Sequence, residues 1–309
     1  MPSIGIDLGG TNIKGGLVNE NGGVVLKIKR ETRSYQAVDK VLDRTFKVID
    51  ELLKSAKRVS GIGIGVAGQI DSEGVVTDAP NLNWHNVPLK KPLEERYKIP
   101  IFLENDVNCA ALAESRFGAG RGAKGLVCVF IGTGIGGGIV IDGKLLKGAT
   151  NSAAEIGHMK IHPFGPRCGC GGYGCWEALA SGQNIVKYAL EKLKDEPNSL
   201  IYKIVNNDLD KVNVNIVYKS AQMGDKLSQD VLELATKYWG IGIANLVNIL
   251  NPEMVILGGG VINSTPSLLE LIRNKLKTLV LPVALKKLKL AIGKLGQDAG
   301  LIGASLLKD

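Results

Sequence analysis

One pattern in this sequence occurs twice, and it limits the folds open to the chain more than any other feature. Residues 6–18, IDLGGTNIKGGLV, and residues 131–143, IGTGIGGGIVIDG, share one layout: a strand, a turn dense in glycine with a threonine, and a second strand. Each copy has a hairpin signal nearby, Asn21-Gly22-Gly23 in the first and Asp142-Gly143 in the second. The 309 residues are enough for two domains of ordinary size, each with its own core. The repeat therefore implies a duplicated α/β chain: two lobes, each opening on a Gly-turned hairpin, with a cleft between them. The boundary is expected in Gly118–Gly125, where four glycines fall in eight residues. No long linker is visible, so the expected motion is hinge closure.

The rest of the chain fits an alternation of strands and helices. Strands are expected at Ile4–Ile6, around Gly16–Val18, and at Val24–Ile28. Val38, Val41, Leu42, Phe46, Ile49, Leu52 and Leu53 recur at helical spacing. Ile62–Val66 and Ile101–Leu103 read as strands, and Asn105–Phe117 as an Ala-rich helix. Later helices are expected near 184–194, 226–250 and 266–278, with strands at Met254–Leu257 and near 287–292. Asp298 is expected to N-cap a closing helix through Leu307.

Composition removes several classes of function. Apolar residues make up 45% and charged residues 22%, a balance that supports a packed core. No apolar run approaches the ~20 residues of a membrane span. Gly5 and Asp7 interrupt the first apolar stretch, so a secretory signal is not expected and the cytoplasm is the default compartment. The net charge of +8 comes largely from seven Lys/Arg between Arg273 and Lys294, interleaved with apolar residues as on a solvated face. Aromatic residues are only 5%, which offers no stacking platform for nucleic acid.

Five short stretches carry chemistry. In Asp7-Leu8-Gly9-Gly10-Thr11-Asn12-Ile13-Lys14 the glycines let backbone N–H groups approach a phosphate. Thr11 adds a hydroxyl, Lys14 a cation and Asp7 a ligand for Mg²⁺. The turn leads into a strand, so it is neither a Walker A loop nor a dinucleotide fingerprint. Gly132-Thr133-Gly134-Ile135-Gly136-Gly137-Gly138 has five glycines in seven residues, a density that a plain strand would not carry. Gly258-Gly259-Gly260 leaves the end of a strand, where ligand crevices commonly lie.

Leu103-Glu104-Asn105-Asp106 ends a strand before a helix. Asp106 there is either a helix N-cap or a general base, and Asn105 suits a sugar hydroxyl. Last, Glu155-Ile156-Gly157-His158 precedes Cys168, Cys170 and Cys175. With no export signal, this cluster reads as metal ligands before disulfides. Three Cys and one His form a closed tetrahedral zinc set, with His158 or His162 as the fourth ligand. Glu177, two residues past Cys175, would be fixed by that loop. Cys109 and Cys128 read as small buried side chains.

Taken together, DLGGTNIK at 7–14, LENDVNCAALAE at 103–114, GTGIGGG at 132–138, EIGH at 155–158, CGCGGYGCWE at 168–177 and LGGGV at 257–261 resemble the ROK family (repressors, open reading frames and sugar kinases). The resemblance spans essentially the whole chain and is strongest to the family's glucokinases. It implies an actin-like, ribonuclease-H-like fold, with a lobe of residues 1–118 closed by 297–309 and a lobe of 119–296 holding the zinc loop. It implies Asp106 as catalytic base, and Asn105, Asp106, Glu155, His158 and Glu177 around the sugar. The zinc ligands become His158, Cys168, Cys170 and Cys175. Asp7, Gly9, Gly10, Thr11, Asn12, Lys14, Gly132, Thr133, Gly134, Gly136, Gly258 and Gly259 would surround Mg-ATP.

The activity implied is phosphorylation of a hexose, glucose first, by a homodimer or homotetramer. Asn81-Leu82-Asn83-Trp84 resembles the loop that closes over the sugar. Val66-Ala67-Gly68 departs from the Pro-Gly pair frequent in these glucokinases. An N-acetylmannosamine or N-acetylglucosamine kinase is the alternative within the family, and fructokinases have another His/Cys pattern. A sugar-responsive repressor would carry a winged helix before the first phosphate motif, for which Asp7 leaves no room. A structural actin-like ATPase has no use for zinc-anchored sugar carboxylates.

Overall fold

Ile4, Ile6 and Leu8 alternate with Ser3, Gly5 and Asp7, so the first strand has two distinct faces. In the computed structural model, which describes residues 1–56 and 58–308, both faces are covered. Strand β1 (Ser3–Leu8) pairs antiparallel with β2 (Asn12–Val18), and β2 with β3 (Val24–Glu31). Helix α1 (Val38–Lys54) lays Val41, Val48, Ile49 and Leu52 on the Ile4–Ile6–Leu8 core. Strand β4 (Ile62–Val66) is parallel to β1. A small antiparallel sheet follows, β5 (Gln69–Ile70), β6 (Val75–Ala79) and β7 (Trp84–Pro88). Helix α2 (Lys90–Tyr97) then leads to β8 (Ile101–Asn105), parallel to β4, and β8 runs directly into α3 (Asp106–Arg116). The sheet order is β3-β2-β1-β4-β8.

The second sheet repeats this plan. Strands β9 (Gly125–Ile131), β10 (Ile135–Ile141) and β11 (Lys144–Leu145) are followed much later by β12 (Met254–Gly258) and β13 (Lys289–Ile292). Their order is β11-β10-β9-β12-β13, with β12 parallel to both β9 and β13. In each sheet the first strand of the hairpin is central, its third strand lies at one edge, and two parallel strands complete the other side. The duplication read from residues 6–18 and 131–143 is thus a duplication of topology.

Between β11 and β12 come α4 (Trp176–Ala180), α5 (Gly182–Leu193), α6 (Leu200–Ile204), α7 (Val214–Gln222) and α8 (Lys226–Leu250). Helix α8 is N-capped by Asp225 and centred on the buried Trp239. Helix α5 begins earlier than its apolar pattern does, because the Ser181 hydroxyl caps the Asn184 N–H. Helices α9 (Gly259–Ser264), α10 (Leu268–Leu279) and α11 (Pro282–Leu285) lie between β12 and β13 in sequence. Among the described residues no helix is long and apolar enough to cross a membrane.

The chain divides into two compact units. One holds Met1–Gly125, Gly138–Ala154 and Gly293–Asp309, and the other Leu126–Gly137 and Glu155–Ile292. The lobes expected from sequence, 1–118 with 297–309 and 119–296, divide the chain into fewer pieces. The closing helix is α12 (Ala299–Ser305), preceded by a 3-10 turn at Gly296–Asp298; residue 309 lies outside the described residues. Asp298 makes no side-chain cap and pairs instead with Lys27, because it sits in the helical conformation from which an N-cap cannot reach back.

Helix α12 packs backbone against backbone. A Cβ at Gly5 of β1 would overlap the Leu301 carbonyl, and one at Gly63 of β4 the Ala304 carbonyl. On its other side the helix meets α3, where Gly303 lies against the Cys109 carbonyl. Glu114 fixes the approach. Its buried carboxylate accepts N–H groups of Ala119 at 2.8 Å, Lys294 at 3.1 Å and Leu295 at 2.8 Å.

Candidate functional site

The end of β8 presents Asn105 and Asp106 at the first turn of α3. The N-cap is Asn105: its Oδ1 accepts the N–H of Val107 at 2.9 Å and of Asn108 at 3.1 Å. The Asn105 Nδ2 donates to the Gly68 carbonyl at 3.2 Å, so the Val66-Ala67-Gly68 segment orients this turn. Asp106 is therefore the first helical residue rather than the cap, with Oδ1 accepting the Val107 N–H at 2.9 Å. A carboxylate here retains lone pairs for a substrate proton.

The first Gly-rich turn is held from behind by a residue that the sequence reading passed over. Thr32, fully buried, donates its hydroxyl to the Gly9 carbonyl at 2.5 Å, and its N–H to the Thr11 carbonyl at 2.9 Å. Gly9 N–H in turn reaches the Asn12 carbonyl at 3.1 Å. Gly10 lies against the Asn81 carbonyl, where any Cβ would be crowded. Trp84 of the Asn81–Trp84 stretch is 1% exposed, a core side chain, while Asn81 and Asn83 are exposed. Lys14 Nζ donates to Asp7 Oδ2 at 3.0 Å. The cation expected on phosphate and the carboxylate expected on Mg²⁺ thus compensate each other.

In the other unit several motifs converge on one peptide. The Ile135 N–H donates to Glu177 Oε2 at 2.9 Å. The Ile135 carbonyl faces Gly157 so closely that a side chain at 157 would overlap it. The Gly132–Gly138 loop, the EIGH turn and Glu177 are thereby joined. The same loop meets α5 where Gly182 N–H reaches the Gly132 carbonyl at 2.8 Å. Gly259, with φ of 87°, folds against the Ile131 carbonyl, and Gly258 packs on Phe130. The triple-Gly stretch therefore opens a helix rather than a loose turn. Thr133 lies between β9 and β10, and Gly136 is the second residue of β10.

Glu155 is exposed, yet burial by surrounding protein pushes its carboxyl up; His158 opposes this and Glu177 adds to it. Behind it, His158, Cys168, Cys170 and Cys175 bring one ligand atom each within 4.8 Å of the others. His158 Nδ1 is 3.7 Å from Cys168 Sγ, and Cys170 Sγ is 3.6 Å from Cys175 Sγ. With Zn–S bonds of ~2.3 Å, the edges of a tetrahedral site are about 3.7 Å, so the donor set fits that metal. His162 stands apart, stacked edge-on with Tyr238. Lys160, also missed, donates to Cys175 Sγ at 2.7 Å. Pairing of Lys160 with Cys175 and of Arg167 with Tyr173 holds the Cys loop in place.

The model of the ROK family matches residues 3–309. The chain is 37% identical to the glucokinase of Thermotoga maritima, over 99% of this chain and 97% of that one. It is 33% identical to the xylose repressor of Bacillus subtilis over 98% of this chain and 76% of the repressor. Among solved structures it is similar to a ROK family glucokinase from Streptomyces griseus in complex with glucose and AMPPNP. That likeness has a TM-score of 0.84 and 34% identity, covering 99% of each chain. The α/β fold expected from the sequence, the actin-like ATPase fold of these kinases, is thus the fold of this chain.

Proposed function

We propose that this chain, which belongs to the ROK family, transfers the γ-phosphate of ATP to a hexose, with glucose the preferred acceptor and glucose 6-phosphate the product. The observation that carries this reading is the Ile135–Glu177 bond. A sugar kinase needs its phosphate loop beside its acceptor site, and this bond joins a Gly-rich loop to a carboxylate anchored by the Cys/His loop. Full-length likeness to glucokinases supports it.

In this reading Asp106 accepts the proton of the sugar hydroxyl as its oxygen attacks the γ-phosphorus, and ADP departs. Asn105, Glu155, His158 and Glu177 hold the remaining hydroxyls. Asp7, Gly9, Gly10, Thr11, Asn12, Lys14, Gly132, Thr133, Gly134, Gly136, Gly258 and Gly259 would surround the nucleotide. Asp7 would hold Mg²⁺, which would neutralise charge on the phosphates. Zinc, held by His158, Cys168, Cys170 and Cys175, would fix the His158 ring and the position of Glu177. The same reading includes lobes of 1–118 with 297–309 and of 119–296, a homodimer or homotetramer, and the cytoplasm as compartment.

Glucose is favoured because carboxylates recognise free hydroxyls, and one left unpaired by an N-acetyl group costs ~1–3 kcal/mol. Coupled ADP release is measured with glucose, mannose, fructose, N-acetylmannosamine and N-acetylglucosamine under saturating Mg-ATP, for wild type and Asp106→Asn. Glucose should give the highest kcat/KM, and the variant should lose ~10²–10⁴ in kcat. A tenfold advantage for an N-acetyl sugar overturns the acceptor alone. No sugar-dependent ADP release overturns the kinase.

A further inference from the structure

A carboxylate with no part in the proposed chemistry stands one residue before the Asn105–Asp106 pair. Glu104 is wholly excluded from solvent. Its Oε1 accepts the Asn105 N–H at 3.0 Å and the Asn108 Nδ2 at 3.1 Å. Its Oε2 has no aligned hydrogen-bond donor, but the Lys147 ammonium stands 2.9 Å away. Lys147 is half-exposed and belongs to the stretch after β11. That stretch is tied down by Asn151 Nδ2 on the Ile70 carbonyl at 3.2 Å and by Ala153 N–H on the Lys147 carbonyl at 3.0 Å.

A buried carboxylate is unfavourable unless a cation and donors compensate it, and apolar residues of similar volume frequently serve a core equally well. Packing alone therefore gives no reason for Glu104. Its bonds give one, since both of its partners lie in the turn that presents Asp106. Asn105 is gripped at its N–H by Glu104, at Nδ2 by Gly68 and at Oδ1 by the helix N-terminus. Asn108, in the first turn of the same helix, is gripped at Nδ2.

We propose that Glu104 and Lys147 form a positioning pair for Asp106: Lys147 compensates the buried charge, and Glu104 fixes the turn that sets the direction of the Asp106 carboxylate. The inference rests on the reading of Asp106 as the base. Misplacement of a reacting group by about 1 Å is enough to cost ~10²-fold in rate.

The test measures kcat and KM separately, with glucose and Mg-ATP, for Glu104→Gln, Lys147→Met, Lys147→Arg and the double variant Glu104→Gln/Lys147→Met. Both charge-removing single variants should lose roughly 10–100-fold in kcat with KM for either substrate within about threefold. Lys147→Arg, which keeps the charge, should recover most of the loss. The double variant should lose no more than the worse single one, because both act through one interaction. Lys147→Met removes only a half-exposed side chain, so it carries the test if Glu104→Gln does not fold. Values of kcat within about threefold of wild type in the single variants overturn the pair, as does an equal loss in Lys147→Arg and Lys147→Met. If wild type shows no sugar kinase activity, the functional reading fails separately. The pair is then read from hydrogen exchange at the Asn105 and Asn108 amides: roughly tenfold faster in Lys147→Met if the pair holds the turn, unchanged if it does not.

Discussion

Replacing Glu114 by Ala should loosen the return of the chain onto its first unit. Glu114 is 1% exposed and accepts three backbone N–H groups through its two oxygens. Two of these donors, Lys294 and Leu295, belong to the segment that leads into α12. Bonds to a charged acceptor contribute ~1.5–3 kcal/mol each. Lys294 is exposed and Ala119 and Leu295 are half-buried, so water can replace part of what is lost. Taking ~1 kcal/mol per bond at this exposure gives about 3 kcal/mol for Glu114→Ala. Glu114→Gln keeps one acceptor oxygen but turns an amide NH₂ toward an N–H, for about 2 kcal/mol. At ~2–4 °C per kcal/mol, the Ala variant should unfold about 6–12 °C lower. Thermal and urea unfolding measure the size, and hydrogen exchange measures the place. Amides of Ala299–Ser305 should exchange faster while those of Lys226–Leu250 do not change. A fall below about 1 °C with unchanged exchange in α12 would refute the reasoning.

Two further outcomes follow from the other unit. Purified protein should contain about one zinc per chain by elemental analysis, and Cys170→Ser should release it and lower both thermal stability and sugar affinity; zinc-free protein indifferent to strong chelators contradicts this. Burial pushes the Asp225 carboxyl up, but hydrogen bonds from the Ser228 hydroxyl, the Leu200 and Ser228 N–H groups and the Ser199 hydroxyl outweigh it and hold it below the usual value of 3.8. The stability it contributes is therefore present above that value and lost as pH falls through the lower folded value. Asp225→Asn should be less stable than wild type by ~1–2 kcal/mol at pH 7, and the gap should close below about pH 4; a gap independent of pH rules the argument out.

Sequence patterns exposed what local chemistry determines. The two Gly-turned hairpins predicted matching sheets because strand, turn and strand are neighbours in the chain. The Cys spacing likewise brought Cys168, Cys170 and Cys175 together, though the residues alone left His158 and His162 open; only the fold sends one to the sulfurs and the other to Tyr238. Asp106 was weighed as a cap, but Asn105 takes that role because β8 runs straight into α3 and the Asn105 Oδ1 reaches the Val107 and Asn108 N–H groups. The supports stayed hidden for a common reason. Thr32 behind Gly9, Lys147 on Glu104 and Glu114 on Leu295 each join residues far apart in sequence. Nothing in the periodicity of either partner marks such a pair.

The glycine faces of β1 and β4 impose an order in time. They are filled by the backbone of α12, and Glu114 waits for the N–H groups of residues 294 and 295. A ribosome adding ~5–20 residues each second needs roughly 8–34 s to pass from residue 125 to residue 293. For that interval the nascent first sheet carries an uncovered seam, and its own residues up to Gly125 cannot close it. The unit made first is therefore completed last. A stalled or truncated chain exposes this seam to chaperones and to other chains, while the insertion between β11 and β12 can already be folding.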